Sequence, residues 1–403
     1  MKLPNDNFCV LPWVSIETSP VGTVRPCCLA RDEIVDDAGN KFKLAEAGFA
    51  EMQNSRHMRE LRQAFLNGER PETCTRCWAE EDSGRTSKRQ HTINRLRNML
   101  PDQAWTADAK PLMFLDLKLG NICNLKCRIC GSWSSSTYAT EEIKFLPPAE
   151  KKTTFHYQML RDGAWPRSSD NFWAELNQNI REIRYIEFTG GEPFMIQEHF
   201  DLLQTIVDQG FAGQIEIHYN TNGTQYPENA EHIWKHFKMV EIAFSIDDMG
   251  RRFEYQRANA KWLEVCDNLD RFRDLREIYS NIRMQVCCTV NIFNVMYLEH
   301  VALWIALQDF DFVYWNMLHD PPCYSIASMP AKAKQLAEDR LRAADVDPDV
   351  RHEFDRMIDF MHNGTECDLP YLHDQIKRTD IRRGEDLTVI APELADAIDY
   401  DQA

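Results

Sequence analysis

The stretch that decides the fold is LDLKLGNICNLKCRIC, residues 115–130. It begins with apolar residues at alternate positions and runs into a short loop that carries Cys123, Cys127 and Cys130, spaced C-x3-C-x2-C. Closely spaced thiolates favour soft metals and iron–sulfur clusters. A cube-shaped cluster has four iron corners, so three cysteines leave one iron open to a small molecule. A zinc site is the alternative, but it normally needs a fourth Cys or His, and the loop contains none.

β-rich runs alternate with helical patterns from this stretch to about residue 320. Such alternation predicts parallel strands joined by helical crossovers, and six units predict an incompletely closed barrel, since a full barrel of this type has eight. We therefore expect an α/β fold: a partial (β/α)6 barrel with a small N-terminal cysteine-rich domain and a helical C-terminal region. The predicted strands are Met113–Lys118, Ile183–Phe188, Gln214–Tyr219, Val240–Ile246, Arg283–Val290 and Phe312–Met317.

The expected boundaries are 1–100 for the cysteine-rich domain, 112–320 for the barrel and 321–403 for the helical region. Two prolines and small polar residues at Leu100–Pro111 indicate a linker. In the first region the runs Trp13–Thr18 and Thr23–Cys27 predict a hairpin, and a polar helix is expected at about Glu51–Asn67. The acidic end, Glu393–Ala403, is expected to fray.

Composition disfavours some classes of function. The chain has 403 residues and a formal net charge of −17, which disfavours a protein whose main task is binding nucleic acid. No apolar stretch approaches the roughly 20 residues of a membrane span. The N-terminus shows no cationic head followed by an apolar run, so no secretory signal is expected and the cytoplasm is the expected location.

Two later strand ends carry groups suited to a small polar ligand. Gly190 and Gly191 let backbone approach a ligand without a Cβ in the way, and Glu192 can accept a hydrogen bond from an ammonium group. Ser245 and Asp247 offer a hydroxyl and a carboxylate suited to ribose hydroxyls. Helix capping is the alternative role for these two residues, and an ordinary turn is the alternative for the glycines.

The three-cysteine loop after a first barrel strand resembles that of the radical S-adenosylmethionine (SAM) superfamily. This resemblance implies that the open iron of a 4Fe–4S cluster binds the amino and carboxylate groups of SAM. Reductive cleavage of SAM then releases a 5′-deoxyadenosyl radical that abstracts a substrate hydrogen. By position, the resemblance implies that Ile129 packs against adenine and that Asn222, in a Thr-Asn-Gly element, lies at the nucleoside. It implies that the Gly190-Gly191-Glu192 turn contacts the methionine amino group. It also implies that Arg257 pairs with the methionine carboxylate, with Arg251 and Arg252 as alternatives.

A second cysteine group lies in the first hundred residues. Four thiolates, those of Cys9, Cys27, Cys74 and Cys77, can enclose a metal centre, with Cys28 as the spare. A structural zinc site and an accessory iron–sulfur cluster both fit such a set. The C-x12-G-x4-C spacing resembles the first half of SPASM and twitch domains, the accessory cluster modules of radical SAM enzymes. Here the module precedes the barrel, whereas in those families it usually follows it.

The resemblance to SPASM and twitch domains favours a peptide or protein side chain as the substrate. Radical modification of a nucleotide, nucleobase or sugar is the alternative, and a non-catalytic metal-binding scaffold is the reading from another class. The expected electron donor is a protein such as flavodoxin or ferredoxin. Cys323 follows the sixth predicted strand and is a candidate hydrogen-atom donor to a substrate radical, whereas Cys266, Cys287 and Cys288 are expected in the core.

Overall fold

The computed structural model describes residues 2–82, 84, 86–97, 99–100 and 104–401. The chain forms two compact units. The first contains residues 1–123, 132–219 and 228–240, and the second contains residues 124–131, 220–227 and 241–403. Residues 101–103 of the expected linker lie outside the described part.

The first unit is built on a largely parallel sheet. Its strands lie in the order β2-β1-β3-β4-β5. β1 and β2 form the expected antiparallel hairpin, and the other neighbouring pairs in this order are parallel. The strands are β1 (Ser15–Thr18), β2 (Val24–Arg25), β3 (Phe114–Lys118), β4 (Tyr185–Thr189) and β5 (Glu216–Thr221), the last two residues of β5 counting with the second unit.

The N-terminal segment contributes a strand to this sheet. β1 pairs in parallel with β3, so that Ser15 lies opposite Phe114 and Glu17 lies opposite Asp116. The hairpin of the cysteine-rich segment therefore continues the sheet that carries the first barrel strands. The four residues of β1 are all buried.

Ten helices of the described residues belong to the first unit. The prediction of a single helix at Glu51–Asn67 is wrong, because the helix is interrupted at Asn54 and Ser55. The Ser55 hydroxyl accepts a hydrogen bond from the Met58 N–H (3.3 Å) and caps the start of a second helix. The helices are α1 (Leu11–Val14), α2 (Phe49–Gln53), α3 (Arg56–Leu66), α4 (Thr75–Asp82), α5 (Lys88–Leu96), α6 (Ser136–Lys144), α7 (Phe155–Asp162), α8 (Asp170–Asn179), α9 (Gln197–Asp208) and α10 (Ala230–Trp234).

The second unit combines three strands with the C-terminal helices. Its strands are β6 (Met239–Ser245, the first two residues counting with the first unit), β7 (Ile282–Val290) and β8 (Phe312–Met317), in that order, with β7 and β8 parallel. Its helices are α11 (Gly250–Gln256), α12 (Trp262–Ile278), α13 (Leu298–Ala306), α14 (Ala331–Ala343), α15 (Pro348–His362), α16 (Leu369–Arg383), α17 (Leu387–Ile390) and α18 (Pro392–Ala397).

The expected α/β class, with parallel strands, crossover helices and a helical C-terminal region, is confirmed. The expectation that the acidic end frays is wrong as far as Tyr400, because α18 buries Leu394 and Ala395, and Tyr400 is buried after it. Apolar residues between the acidic ones anchor this end. Gln402 and Ala403 lie outside the described residues. Among the residues that the structure describes, no helix is both long and apolar enough to cross a membrane.

Candidate metal centres

The four cysteines assigned to an N-terminal centre come together in the first unit. Burial raises the pKa of the Cys9 thiol, and the neighbouring Cys74, Cys27 and Cys77 thiols raise it further. Burial likewise raises the pKa of Cys74, and Cys27 and Cys77 add to that effect. The four thiols therefore lie within electrostatic reach of one another, which suits a shared positive centre that would stabilise them as thiolates.

Backbone N–H groups point at these thiols. Cys27 accepts hydrogen bonds from the N–H groups of Leu29 and Ala30, which oppose the effect of burial that raises its pKa to about 11. Cys77 accepts one from the N–H of Arg89. Such donors favour the thiolate form, and hydrogen bonds to ligand sulfurs tune iron–sulfur clusters. The site therefore fits a cluster in both its ligands and its surroundings.

The N-terminus of α5 lies next to the four N-terminal thiols, a contact that the cysteine spacing did not predict. Ser87 caps the helix in a capping box with Gln90. Arg89 forms a bidentate pair with Glu81 (2.6 and 2.9 Å) and donates to the Phe8 carbonyl (2.7 Å). The Ser-x-x-Gln pattern is a sequence signal for this helix start. Arg89 thus ties the helix start to the segment that carries Cys9.

Cys28, assigned as the spare, has different neighbours. Burial raises the pKa of its thiol, and the charges that act on it include Lys88, Asp116 and Glu187 as well as Cys27. The cysteine next to a proposed ligand thus faces a group of charged residues on the sheet. This group was not foreseen from the sequence.

The charged group, called the polar row below, crosses four strands in register. Glu17 lies opposite Asp116, Asp116 opposite Glu187, and Glu187 opposite His218. Glu17 and Asp116 are fully or almost fully buried. Because neighbours in register on parallel strands share a face, these four side chains lie on one face of the sheet.

Lysines compensate the carboxylates of the polar row. Lys88 of α5 pairs with Glu187 (3.1 Å), and Lys118 pairs with Glu17. The Lys118 ammonium also lies 3.8 Å from Asp116 Oδ1. Burial nevertheless raises the pKa of Asp116 to about 6, against the effect of Lys118, while Glu187 contributes to the rise. Burial thus makes the Asp116 carboxyl a weaker acid than an exposed aspartate.

The start of the three-cysteine loop is held within the first unit by the Gly-Gly-Glu turn. The Glu192 N–H donates to the Ile122 carbonyl (2.8 Å), directly before Cys123. Gly191 has φ +29°, and a Cβ there would stand 2.2 Å from the same carbonyl oxygen. Only glycine allows this approach. The Cys123 N–H donates to the Ser136 hydroxyl (3.2 Å).

Cys127 and Cys130 belong to the second unit, where their thiols are hydrogen-bonded to each other. The bond from Cys130 lowers the pKa of Cys127 despite burial, and Arg257 lowers it further. The Arg257 guanidinium pairs with Asp247 (2.7 Å), whose other oxygen accepts the Thr289 N–H (2.8 Å). Cys127 and Arg257, both singled out from the sequence, thus lie together. Asp247 holds Arg257 in place, and its expected contact with the ribose stays a prediction.

Asn222 lies beside the cysteine loop of the same unit. Its side-chain amide donates to Asn124 Oδ1 (3.0 Å), and the Asn124 amide donates to the Thr224 hydroxyl (2.8 Å). Asn259, with φ +79°, donates to the Asn124 carbonyl (3.1 Å). Asn124 and Asn259 were missed from the sequence. An asparagine in the left-handed region is a conformational signal that a sequence does not display.

The remaining assigned residues have less defined surroundings. Ile129 and Ser245 are half-buried. Cys323 is buried, which raises its pKa to about 11, with a contribution from Cys367. Cys323 therefore remains a thiol at neutral pH, the form that a hydrogen-atom donor needs. The roles of these three residues remain predictions.

The thirteen cysteines, all of which lie in the described ranges, form no disulfide with one another. Within the described ranges, no three His, Cys, Asp or Glu side chains are grouped closely enough to hold a single metal ion. The four N-terminal thiols have backbone N–H donors, and the Cys127–Cys130 pair has a neighbouring guanidinium. Such surroundings suit sulfur ligands of iron–sulfur clusters.

The parallel α/β fold and these thiols fit a protein that binds iron–sulfur clusters. Residues 117–292 match the model of the radical SAM superfamily, and residues 9–78 match the model of the SPASM type, an iron–sulfur cluster-binding domain. The two matches together cover more than half of the chain. The chain therefore contains a radical SAM domain, with a SPASM-type segment before it in the sequence. Such domains take a 4Fe–4S cluster with SAM and a further iron–sulfur cluster.

Comparison with curated protein sequences gives no significant match. Among solved structures, the chain is similar to native anSMEcpe with bound AdoMet and Cp18Cys peptide, at 16% identity and a TM-score of 0.37, over 58% of this chain and 59% of that one. It therefore spans less than two thirds of the length of that protein. It is also similar to Streptococcus suis SuiB bound to the precursor peptide SuiA, at 11% identity and a TM-score of 0.34, over 83% and 68%.

Proposed function

We propose that the chain is a radical SAM enzyme that cleaves SAM reductively and abstracts a hydrogen atom from its substrate. Cys123, Cys127 and Cys130 would hold the 4Fe–4S cluster, which supplies the electron for the cleavage when it is bound. The observation that carries the proposal is the hydrogen bond between the Cys127 and Cys130 thiols, near the Arg257 guanidinium, inside the segment that matches the radical SAM superfamily. The protein contributes positioning and shielding to this chemistry.

The residues around this segment have distinct tasks in the proposal. Arg257, held by Asp247, offers a fixed guanidinium to the methionine carboxylate, and a bidentate contact suits that geometry. The Gly190–Glu192 turn presents backbone to the methionine amino group. Asn222, Ser245 and Ile129 would contact the nucleoside part. Cys323 would donate its thiol hydrogen atom to the substrate radical, and one electron from the proposed electron donor and one proton would convert the resulting thiyl radical back to the thiol.

Cys9, Cys27, Cys74 and Cys77 would hold the accessory cluster. Their mutual proximity and their backbone donors support this assignment. Four protein ligands would occupy all four irons of a 4Fe–4S cluster, so the cluster could not bind substrate directly. Its role in this proposal is electron transfer or maintaining the shape of the substrate pocket. A structural zinc ion is the alternative occupant.

The substrate in this proposal is a peptide or protein side chain. The SPASM-type match at residues 9–78 supports it, because this module accompanies peptide-modifying radical enzymes. Modification of a nucleotide, nucleobase or sugar is the second candidate. The proposal includes a flavodoxin- or ferredoxin-type electron donor and a cytoplasmic location. The alternative from another class of function is a metal-binding scaffold without catalytic activity.

Replacement of one cluster ligand tests the assignment. Cys127→Ala removes one of the three proposed cluster thiolates, so 5′-deoxyadenosine formation should be abolished in anaerobic, dithionite-reduced protein. Cys266→Ala, on α12, is the matched control and should keep wild-type turnover. Undiminished turnover by Cys127→Ala, measured by chromatography of the nucleoside, would refute the assignment and favour the scaffold.

A further inference from the structure

Arg128, between the proposed ligands Cys127 and Cys130, is a buried arginine with fixed contacts inside the second unit. Its backbone N–H donates to the Gln256 carbonyl (2.8 Å), and its Nε donates to the Tyr255 carbonyl (3.0 Å). The guanidinium also lies 3.6 Å from the centre of the Tyr255 ring. Both the main chain and the side chain of Arg128 are therefore held by the end of α11.

The partner of this guanidinium comes from the far end of the sequence. Arg128 pairs with Asp380 of α16 and with Glu385, which follows that helix. Asp380 is fully buried, and its carboxylate accepts hydrogen bonds from the Tyr255 hydroxyl (2.9 Å) and the Leu387 N–H (2.9 Å). Each oxygen of Asp380 thus has a donor, which orients the carboxylate that pairs with Arg128.

The energetics of this cluster favour a function in positioning. A buried ion pair gives little net stability over an apolar pair of the same shape, but removing one partner leaves an uncompensated buried charge. The arrangement is thus a strict geometric constraint rather than a large source of stability. α16 lies outside residues 117–292, the segment that matches the superfamily. Arg383 in its last turn also acts electrostatically on Cys127.

We infer that the Arg128–Asp380 pair is a positioning device through which α16 fixes the segment carrying Cys127 and Cys130 before the cluster binds. Asp380 is then a positioning residue for the cluster, although it touches neither thiol. This inference rests on the proposed function in one respect, namely that these thiols are cluster ligands.

The test compares two identical substitutions on one helix. Asp380→Asn keeps the shape and removes the charge, and Asp374→Asn makes the same change at an exposed position of α16. Each anaerobically reconstituted variant is challenged with an iron chelator, and the fast change in the EPR signal of the reduced cluster on adding SAM is recorded. We expect Asp380→Asn to release the iron of the SAM-responsive cluster about tenfold faster, and Asp374→Asn to match the wild type.

A double-mutant cycle separates positioning from general destabilisation. If the pair acts as a unit, Arg128→Gln combined with Asp380→Asn should accelerate iron release no more than the worse single change. If Asp380→Asn does not fold, Tyr255→Phe removes one donor to Asp380 and should still accelerate release relative to Asp374→Asn. Equal release rates in Asp380→Asn and wild type would overturn the inference. A SAM-responsive EPR signal that survives Cys127→Ala would instead overturn the proposed function, so the two failures are distinguishable.

Discussion

Asp116 combines burial, two nearby lysines and two neighbouring carboxylates in one residue of the polar row. Cys28, Lys88, Lys118, Glu17 and Glu187 act on it, and burial outweighs the lysines so that its pKa rises to about 6. In the unfolded chain this carboxyl has a pKa near 3.9. The folded state therefore binds its proton more tightly than the unfolded state, and this residue makes stability fall as the pH rises from about 4 to 6.

Asp116→Asn should remove that fall. Between pH 5 and pH 7 the free energy of unfolding of the wild type should drop by about 1 kcal/mol relative to the variant, because Asn carries no proton to lose. Urea unfolding at several pH values, followed by tryptophan fluorescence, measures the difference. Asp37→Asn, the same change at an exposed residue, should run parallel to the wild type. A pH-independent gap for Asp116→Asn would show that its proton is not linked to folding.

Some residues of the candidate site could be predicted from the sequence, whereas the role of others depends on contacts between distant parts of the chain. The spacing of Cys123, Cys127 and Cys130 is local, so a motif displays it directly, and the family match supports it. Arg128 sits inside the same motif, but its role depends on Asp380, far along the chain. Contacts of that kind are set by the packing of distant helices, and one sequence does not contain them.

The elements follow the same division. The six barrel strands could be predicted because short apolar runs bounded by turns carry a local signal, and all six are present within one to two residues of the expected bounds. The pairing of β1 with β3 could not be predicted. β1 has only four residues, and Glu17 in its middle is buried through ion pairs with Arg25 and Lys118 rather than through apolar character.

Helix α5 is the element that joins the accessory cysteines to the sheet. Its Arg89 holds Glu81 and the Phe8 carbonyl, and its Lys88 holds Glu187. Arg89→Lys keeps the charge but loses the planar fork, since one ammonium cannot reach both partners in the same geometry. We expect a loss of about 2 kcal/mol in the free energy of unfolding and a lower yield of accessory cluster.

Urea unfolding and iron analysis of Arg89→Lys measure the two effects. Arg59→Lys, the same change at an exposed site on α3, is the matched control and should keep wild-type values. A loss of stability without any loss of iron would mean that α5 supports the fold but not the cluster. Full retention of both would contradict the assigned role of Arg89.

The metal content of the whole chain distinguishes the proposed architectures. Two 4Fe–4S clusters require about eight irons per chain, whereas a zinc ion in the N-terminal set leaves about four irons and one zinc. Cys27 and Cys28 are adjacent in the sequence, yet the Cys27 thiol lies near the other three proposed ligands, whereas the Cys28 thiol lies near the charges of the polar row. The same change at these neighbours therefore separates ligation from a local effect on folding.

Cys27→Ser should lose about half of the iron of anaerobically reconstituted protein, and Cys28→Ser should keep nearly all of it. The remaining iron in Cys27→Ser should still give the EPR change on adding SAM, because the three-cysteine loop does not use Cys27. Loss of iron from Cys28→Ser with retention in Cys27→Ser would exchange the two assignments. A wild type with about four irons and one zinc would leave the radical SAM site intact and make the N-terminal segment a structural module, since zinc does not change its oxidation state.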